Sequence, residues 1–464
     1  MNANERAIVA DVQHVVDGGR DDSLRKVLYA LYVAALLLIT YGVSVAHAFF
    51  TTQDPQWLRA AVLSWPGALT VTTIITLALV AAWRAGRVRG PVLPPLPWID
   101  LVVPGPLDRA ITLRRWWVMA ATLAGTGAAM VGAVIGGGAW FARVGDPGWL
   151  LVGALGTAVI GLVLLLVALA GQVSLGIPGL VPPVWRPREA LRQLRLEDLR
   201  TQSSRATRMG GAVLLGDLRA LRLEVATPVT RARHRRLRPG PRWASRWGVI
   251  VRRDLLGLRR APGSGAIGTA VTVLAAAGLT WSLLQPAVPV VVALLAGLAL
   301  HLGFSTTAEG LRLQGDNAGT PPLLGLSFRT EALAHLAVPL LLCGGSAVLT
   351  TALVGWLDGV RDAYLLGTVG WIALMILIVT GTTTASAFRG GAPVSAFLPG
   401  AGPQAMAFWV ARQAIVAAAA VGGLAAAASR LPTGQVLLTG ILLAMTCLWW
   451  GLQRVRSVAL EHRV

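Results

Sequence analysis

Charge is the scarcest property of this chain. Asp, Glu, Lys and Arg make up 13% of its 464 residues, about half the share that a soluble domain carries, and this excludes a soluble catalyst. Lys26 is the only lysine, and the pattern GxxxxGK followed by Ser or Thr occurs nowhere. The chain therefore has no phosphate-cradling loop, and any nucleotide chemistry has to come from a partner. The two cysteines, Cys343 and Cys447, each lie in an apolar stretch and supply neither a disulfide framework nor a thiolate metal site. His14, His47, His234, His301, His335 and His462 are scattered without HExxH spacing, so no metal centre is expected.

Acids are sparse as well. Asp100, Asp108 and Glu309, expected near the inner membrane face, stand apart from the histidines in sequence. Enzymes of the membrane need paired acids, Ser with His, or a metal cluster at the lipid surface, so no enzyme is expected. Ionisable residues near a bilayer midplane are missing too: His47, His301, His335 and Arg412 all fall towards the ends of apolar stretches. That pattern disfavours a carrier driven by protons or sodium ions.

Apolar residues are what the chain has in excess, at 55%, with a mean hydropathy of +0.65. Windows long enough to cross a hydrocarbon core of about 30 Å recur ten times, at 27–50, 61–83, 116–142, 149–172, 264–285, 287–304, 332–357, 363–386, 406–429 and 432–453. The expected fold is an all-α polytopic membrane protein of about ten transmembrane helices. The first window is too long for a signal peptide and is expected to be an uncleaved anchor. Loops after spans 1, 3, 5, 7 and 9 hold only Arg59, Arg143, Arg361 and Arg430. Basic residues are kept on the cytoplasmic side, so both termini are placed there.

Residues 175–263 form one long polar stretch, with 20 arginines from Arg186 to Arg260 against six acids from Glu189 to Asp254. Within it 189–225 has helical composition, whereas RARHRRLRPGPR at 231–242 reads as loop. Arginine-rich segments beside membrane spans bind anionic lipid headgroups or fix topology, and this reading is preferred to nucleic-acid binding.

An offset of 220 residues lays spans 2, 3 and 4 on spans 6, 7 and 8. It also lays LVVPGPLDRAITL at 101–113 on PPLLGLSFRTEAL at 321–333, matching Gly105, Arg109 and Leu113 with Gly325, Arg329 and Leu333. Four spans return the chain to the same side, so the two halves are expected to form a parallel repeat. Each half is preceded by an amphipathic stripe suited to the headgroup layer. The first is Ile8, Val12, Val15 and Val16; the second is Trp247, Ile250, Val251, Leu255 and Leu258, flanked by Arg246, Arg252, Arg253, Arg259 and Arg260. The expected organisation is an interfacial helix at 1–26, a first membrane half of four spans at 27–174, the arginine-rich segment with a second interfacial helix at 175–263, a second half of six spans at 264–453, and a cytoplasmic tail at 454–464.

PGPLDRAITLRRWW at 104–117, with GLSFRTEALAHLAVP at 325–339 as a looser second copy, resembles the proline-containing loop that leads into the third span of ABC-2-type exporter permeases. The chain is similar also to permease-like membrane proteins of high-GC bacteria. The resemblance implies a transmembrane permease subunit in the bacterial plasma membrane, driven by a separate, dimeric ABC ATPase docking on cytoplasmic coupling helices. ATP and Mg would sit on that partner, leaving this chain without a cofactor. It places Pro104, Gly105, Asp108 and Arg109 in the first contact and Gly325, Arg329 and Glu331 in the second. A second membrane subunit is a further expected partner.

Other residues carry weaker expectations. Asp108 is placed to cap a short helix. Thr350, Thr380, Thr383 and Thr384 are candidates to line a polar path, against the alternative that their hydroxyls bond carbonyls of their own helix. Gly132 and Gly136 form a GxxxG suited to close helix approach. A reading from another class is a scaffold or accessory subunit recruiting partners through the basic segment. The first half lacks the last two spans of the family pattern, which favours that reading.

Overall fold

The computed structural model describes residues 22–52, 65–174, 186–214, 245–260, 262–320, 324–360, 362–390 and 402–461. All regular structure among them is helical. Two compact units divide the chain, one of residues 1–213 and 217–225, the other of 214–216 and 226–464.

The first unit begins with α1, a continuous helix formed by Asp22–Leu37, a π turn at Leu38–Gly42 and Val43–Thr52. It is followed by α2 (Trp65–Val88), the short α3 (Leu96–Leu101) and α4 (Arg109–Thr112), and then α5 (Arg114–Phe141) and α6 (Gly148–Val173). Two polar helices end it, α7 (Pro187–Gln193) and α8 (Leu196–Leu214). Helix α6 packs against both α5 and α2, and α5 packs on α1. The α5–α6 contact has an evident cause: a Cβ on Gly132 would overlap the Gly153 carbonyl, and one on Gly136 would overlap that of Trp149. Glycines four apart let two backbones approach, and Thr157 adds a hydrogen bond from Oγ1 to Ala128 O at 2.7 Å.

The second unit opens with α9 (Arg246–Arg260), whose apolar stripe and arginine flanks follow the sequence reading. Next come α10 (Pro262–Leu284), α11 (Val290–Thr307), the short α12 (Glu309–Asp316) and α13. Helix α13 runs from Phe328 to Leu357 and is interrupted by a π turn at Leu340–Gly344. Pro339 sits just before that turn; it lacks the N–H that would continue the helical ladder. The unit closes with α14 (Asp362–Ala387), α15 (Gly402–Ala428) and α16 (Thr433–Glu461). Leu279, Leu300, Phe304, Ile372, Met375, Val421 and Val455 meet in its core.

Among the described residues nine helices are long and apolar enough to cross a membrane, and they coincide with nine of the ten windows. The shortest, α11, has 18 residues, about 27 Å at 1.5 Å per residue. The window 61–83 starts outside the described residues and otherwise falls on α2, which is not among the nine. The stripe from Ile8 to Val16 and the loop 231–242 also lie outside them. Apolar side chains point outwards along these helices, as with Leu151, Val152, Leu155 and Val159 of α6 and Leu341, Leu349 and Leu353 of α13. A surface of that kind suits lipid rather than water. The chain is a multi-pass α-helical membrane protein.

Candidate functional site

The first of the two paired segments, 101–113, is built around α4. Asp108 caps this single turn by accepting a hydrogen bond from Ala110 N at 3.0 Å. The same carboxylate receives Arg192 of α7, whose Nε lies 2.9 Å and Nη2 2.5 Å from Oδ2. These contacts hold the Asp108 carboxyl below the ordinary carboxylate range. The Arg192 hydrogen bond leads, helped by the Ala110 N–H and the charges of Arg192 and Arg188, against the opposing effect of burial. Arg192 is correspondingly raised, chiefly by its bond to Asp108. Pro104 and Gly105 are exposed in the preceding turn.

Arg109, the neighbouring candidate contact, donates Nη1 to Leu194 O at 2.9 Å. Asp100 receives Arg200 of α8 at 2.5 Å. Ser203 donates to Pro94 O at 2.7 Å, and Gln202 bridges the Gly86 carbonyl and the Gln172 side chain. Beneath these polar contacts lie Trp98, Ile99, Leu113, Leu191, Leu194 and Leu199, all at most 2% exposed. Trp98 donates Nε1 to Thr112 O at 3.2 Å and packs on Trp116 with ring centroids 4.9 Å apart. The helices of the arginine-rich segment thus return to this unit's own short loop and fasten it.

Burial of the α8 carboxylate Asp198 pushes its carboxyl up, with the Glu197 charge acting the same way and Arg195 opposing. It is the counterpart of Asp108, which has a guanidinium in direct contact.

The second segment is fastened differently. Ser327 caps α13, accepting from Thr330 N at 3.2 Å. Gly325 adopts φ 62°, the left-handed conformation that glycine tolerates, and its carbonyl accepts Arg246 Nη1 from α9 at 3.2 Å. Arg329 is exposed and makes no hydrogen bond or ion pair among the described residues; Glu331 is half-buried on the same turn. One and a half turns on, His335 Nδ1 meets Asp254 Oδ2 of α9 at 2.6 Å, with the two side chains only 2% and 9% exposed. Helix α12 lies directly over this pair, since a Cβ on Gly310 would overlap Asp254 Oδ1. Its Gln314 donates to Phe328 O at 2.8 Å. The amphipathic helix, the short helix and the start of a span therefore meet at one buried polar contact.

Thr380, Thr383 and Thr384 are buried in α14, and Thr350 is half-buried in α13. Thr380 donates to Ile376 O at 2.7 Å, Thr384 to Thr380 O at 2.8 Å and Thr350 to Ser346 O at 2.8 Å. Those hydroxyl protons are spent within their own helices. Thr383 lies 3.4 Å from Ser305, and Thr382 beside it lies 3.1 Å from His301 Nδ1, so this stretch joins α14 to α11.

Sequence reasoning did not single out Arg192, Arg200 or the Asp254–His335 pair. Asp254 carried one signal, as the sole carboxylate in a stripe with Arg246, Arg252, Arg253, Arg259 and Arg260. Comparison of the chain with protein-family models, with curated proteins and with solved structures finds no match to any of them.

Proposed function

We propose that this chain is the transmembrane permease subunit of an ABC-type exporter in the bacterial plasma membrane, with both termini cytoplasmic and a separate ATPase subunit supplying ATP and Mg. Helix α2 is counted as the tenth span. The observation that supports the reading most is the junction of α9, α12 and α13. There an exposed Arg329, beside Glu331, sits on the capped first turn of a span whose base is bonded to an amphipathic helix through His335 and Asp254. Movement of a partner against Arg329 would pass into α13 as a rigid body, without loss in a loose loop.

The parallel-repeat reading draws support from helix pairing inside each unit. In the first unit the first span packs on the third, the second on the fourth and the third on the fourth; the equivalent helices α10, α11, α13 and α14 of the second unit share those three pairings, while α10 also packs closely on α11. Both short segments carry an N-cap at their helix start, Asp108 and Ser327, with an arginine one or two residues later.

The two contacts are unequal in this proposal. Arg109 is engaged by the Leu194 carbonyl and Asp108 by Arg192, whereas Arg329 is open to a partner. Charge reversal tests this: Arg329→Glu weakens ATPase association in a pull-down from native membranes more than Arg109→Glu does. Equal retention of the ATPase by both variants contradicts the contact assignment.

A scaffold or accessory role is favoured by one observation, that α7 and α8 occupy the first short segment. The two readings separate when Arg231, Arg233, Arg235, Arg236 and Arg238 are changed to Gln. A scaffold recruiting through the basic segment loses its partner, and a permease keeps its ATPase.

A further inference from the structure

Two arginines share one aromatic ring at the arginine-bearing ends of α14, α15 and α16. The guanidinium carbons of Arg389 and Arg412 lie 5.2 and 5.7 Å from the centroid of Trp409, within cation–π range. Arg454 of α16 joins them. It donates Nε to Phe388 O at 3.3 Å and Nη2 to the Arg389 carbonyl, which ties α16 to the end of α14. Between Asp362 and Glu461 the sequence has no acidic residue. Glu461, which is exposed, comes near this group beside Gly390, and Arg389 also donates Nη2 to Ser386 Oγ at 3.2 Å. Arg412 makes no ion pair among the described residues.

A second observation points to a ligand. Gln413, next to Arg412 on α15, is 1% exposed, yet neither its Nε2 nor its Oε1 has a hydrogen-bond partner among the described residues. The Nε of Arg412 is buried and unpartnered as well. Buried polar groups are normally paired, and leaving them unpaired is costly. Trp409 and Gln413 stand four residues apart and Trp409 and Arg412 three apart, so all three share one side of the helix. Two of the three unpartnered atoms are donors, and they lie beside concentrated positive charge. The complementary chemistry is an anion with several acceptor oxygens, and a phosphate group accepts a guanidinium fork better than any neutral ligand.

Depth identifies the source. Arg412 lies within about two turns of the start of the apolar window 406–429, from where its long side chain can reach headgroup phosphates, and Phe408, one turn earlier, is 65% exposed. We propose that Arg389, Arg412 and Gln413, with Trp409 as their platform, form a site for the phosphate of an anionic phospholipid. This site does not depend on the transport reading. It assigns a role to Arg412 beyond that of a membrane anchor.

The test uses the full-length chain in nanodiscs of phosphatidylglycerol or phosphatidylcholine, read by native mass spectrometry and by thermal unfolding, with inorganic phosphate as a separate arm. The wild-type chain should retain one phosphatidylglycerol that phosphatidylcholine does not displace, and should unfold at higher temperature in the anionic lipid. Arg412→Gln and Gln413→Leu should each weaken that retention by about tenfold, the loss expected for a charge-assisted hydrogen bond. Arg456→Gln, an exposed arginine two residues beyond Arg454, should leave retention unchanged. The wild-type comparison stands even where a variant fails to fold. Stabilisation by inorganic phosphate alone would keep the phosphate chemistry and overturn the lipid assignment. Equal retention of both lipids, or of phosphatidylglycerol by all variants, would overturn the site altogether.

Discussion

Asp108 performs two tasks with one carboxylate, capping α4 through Ala110 N and holding Arg192 of α7 at 2.5 Å. Substitutions separate the two. Asp108→Asn keeps a capping oxygen and removes the ion pair, which costs at most about 1 kcal/mol at a site this open to solvent. Asp108→Ala removes the cap as well and should cost about 1 kcal/mol more. Thermal unfolding in detergent followed by circular dichroism should rank wild type above Asp108→Asn above Asp108→Ala.

The same carboxylate sets a pH dependence. Its folded pKa is lowered chiefly by the Arg192 hydrogen bond, so the unfolded chain binds the proton more tightly. The stabilisation is therefore complete above the ordinary carboxylate range and is lost as pH falls through the lowered folded value. Stability of the wild type relative to Asp108→Asn should shrink on acidification below that range. A difference between them that stays constant down to strongly acidic pH would contradict the pairing.

Asp254 and His335 form the buried contact at the base of α13. Asp254→Ala leaves the imidazole without its partner, and such a loss costs about 1–3 kcal/mol. Gly310→Ala should produce a comparable loss by a different route, because its Cβ would overlap Asp254 Oδ1. Both changes act on one contact, so the double variant should lose clearly less than the sum of the two. Unfolding midpoints that add would show that the three residues are not coupled.

Gly136 lies where α6 passes close to α5. Gly136→Val forces the Trp149 backbone away and should destabilise the unit by about 1–3 kcal/mol, the usual cost of overpacking. Size-exclusion profiles should show a reduced monodisperse fraction. Gly127→Ala on the same helix, with open space around the added methyl, should behave as wild type.

How much of this was legible in the sequence depends on the physics that controls each part. Long apolar windows have one outcome in lipid, because every backbone group has to be satisfied within the helix. Nine windows accordingly match helices, eight of them to within a few residues, while the last helix runs on to Glu461, past the window 432–453. The cap at Asp108 was legible for a related reason, since capping acts within three residues. The fastening of 92–113 by α7 and α8 was not legible. Its bonds join residues 84 to 109 positions apart, such as Arg192 to Asp108 and Ser203 to Pro94, and no local periodicity encodes them. Helical composition at 189–225 pointed to one stretch; the structure breaks it at Leu194, whose extended backbone turns its carbonyl to Arg109. Asp254 and His335 stand 81 residues apart, and only the lone acid in a basic stripe hinted at a buried partner.

Transport driven from outside the chain is tested most directly by purifying the tagged protein from its native membranes in mild detergent and identifying what accompanies it. The proposed permease brings a stoichiometric nucleotide-binding subunit, and the complex hydrolyses ATP in a vanadate-sensitive manner that Arg329→Glu disrupts. A chain that purifies without any ATPase, or with one that Arg329→Glu and Arg109→Glu both leave in place, contradicts it.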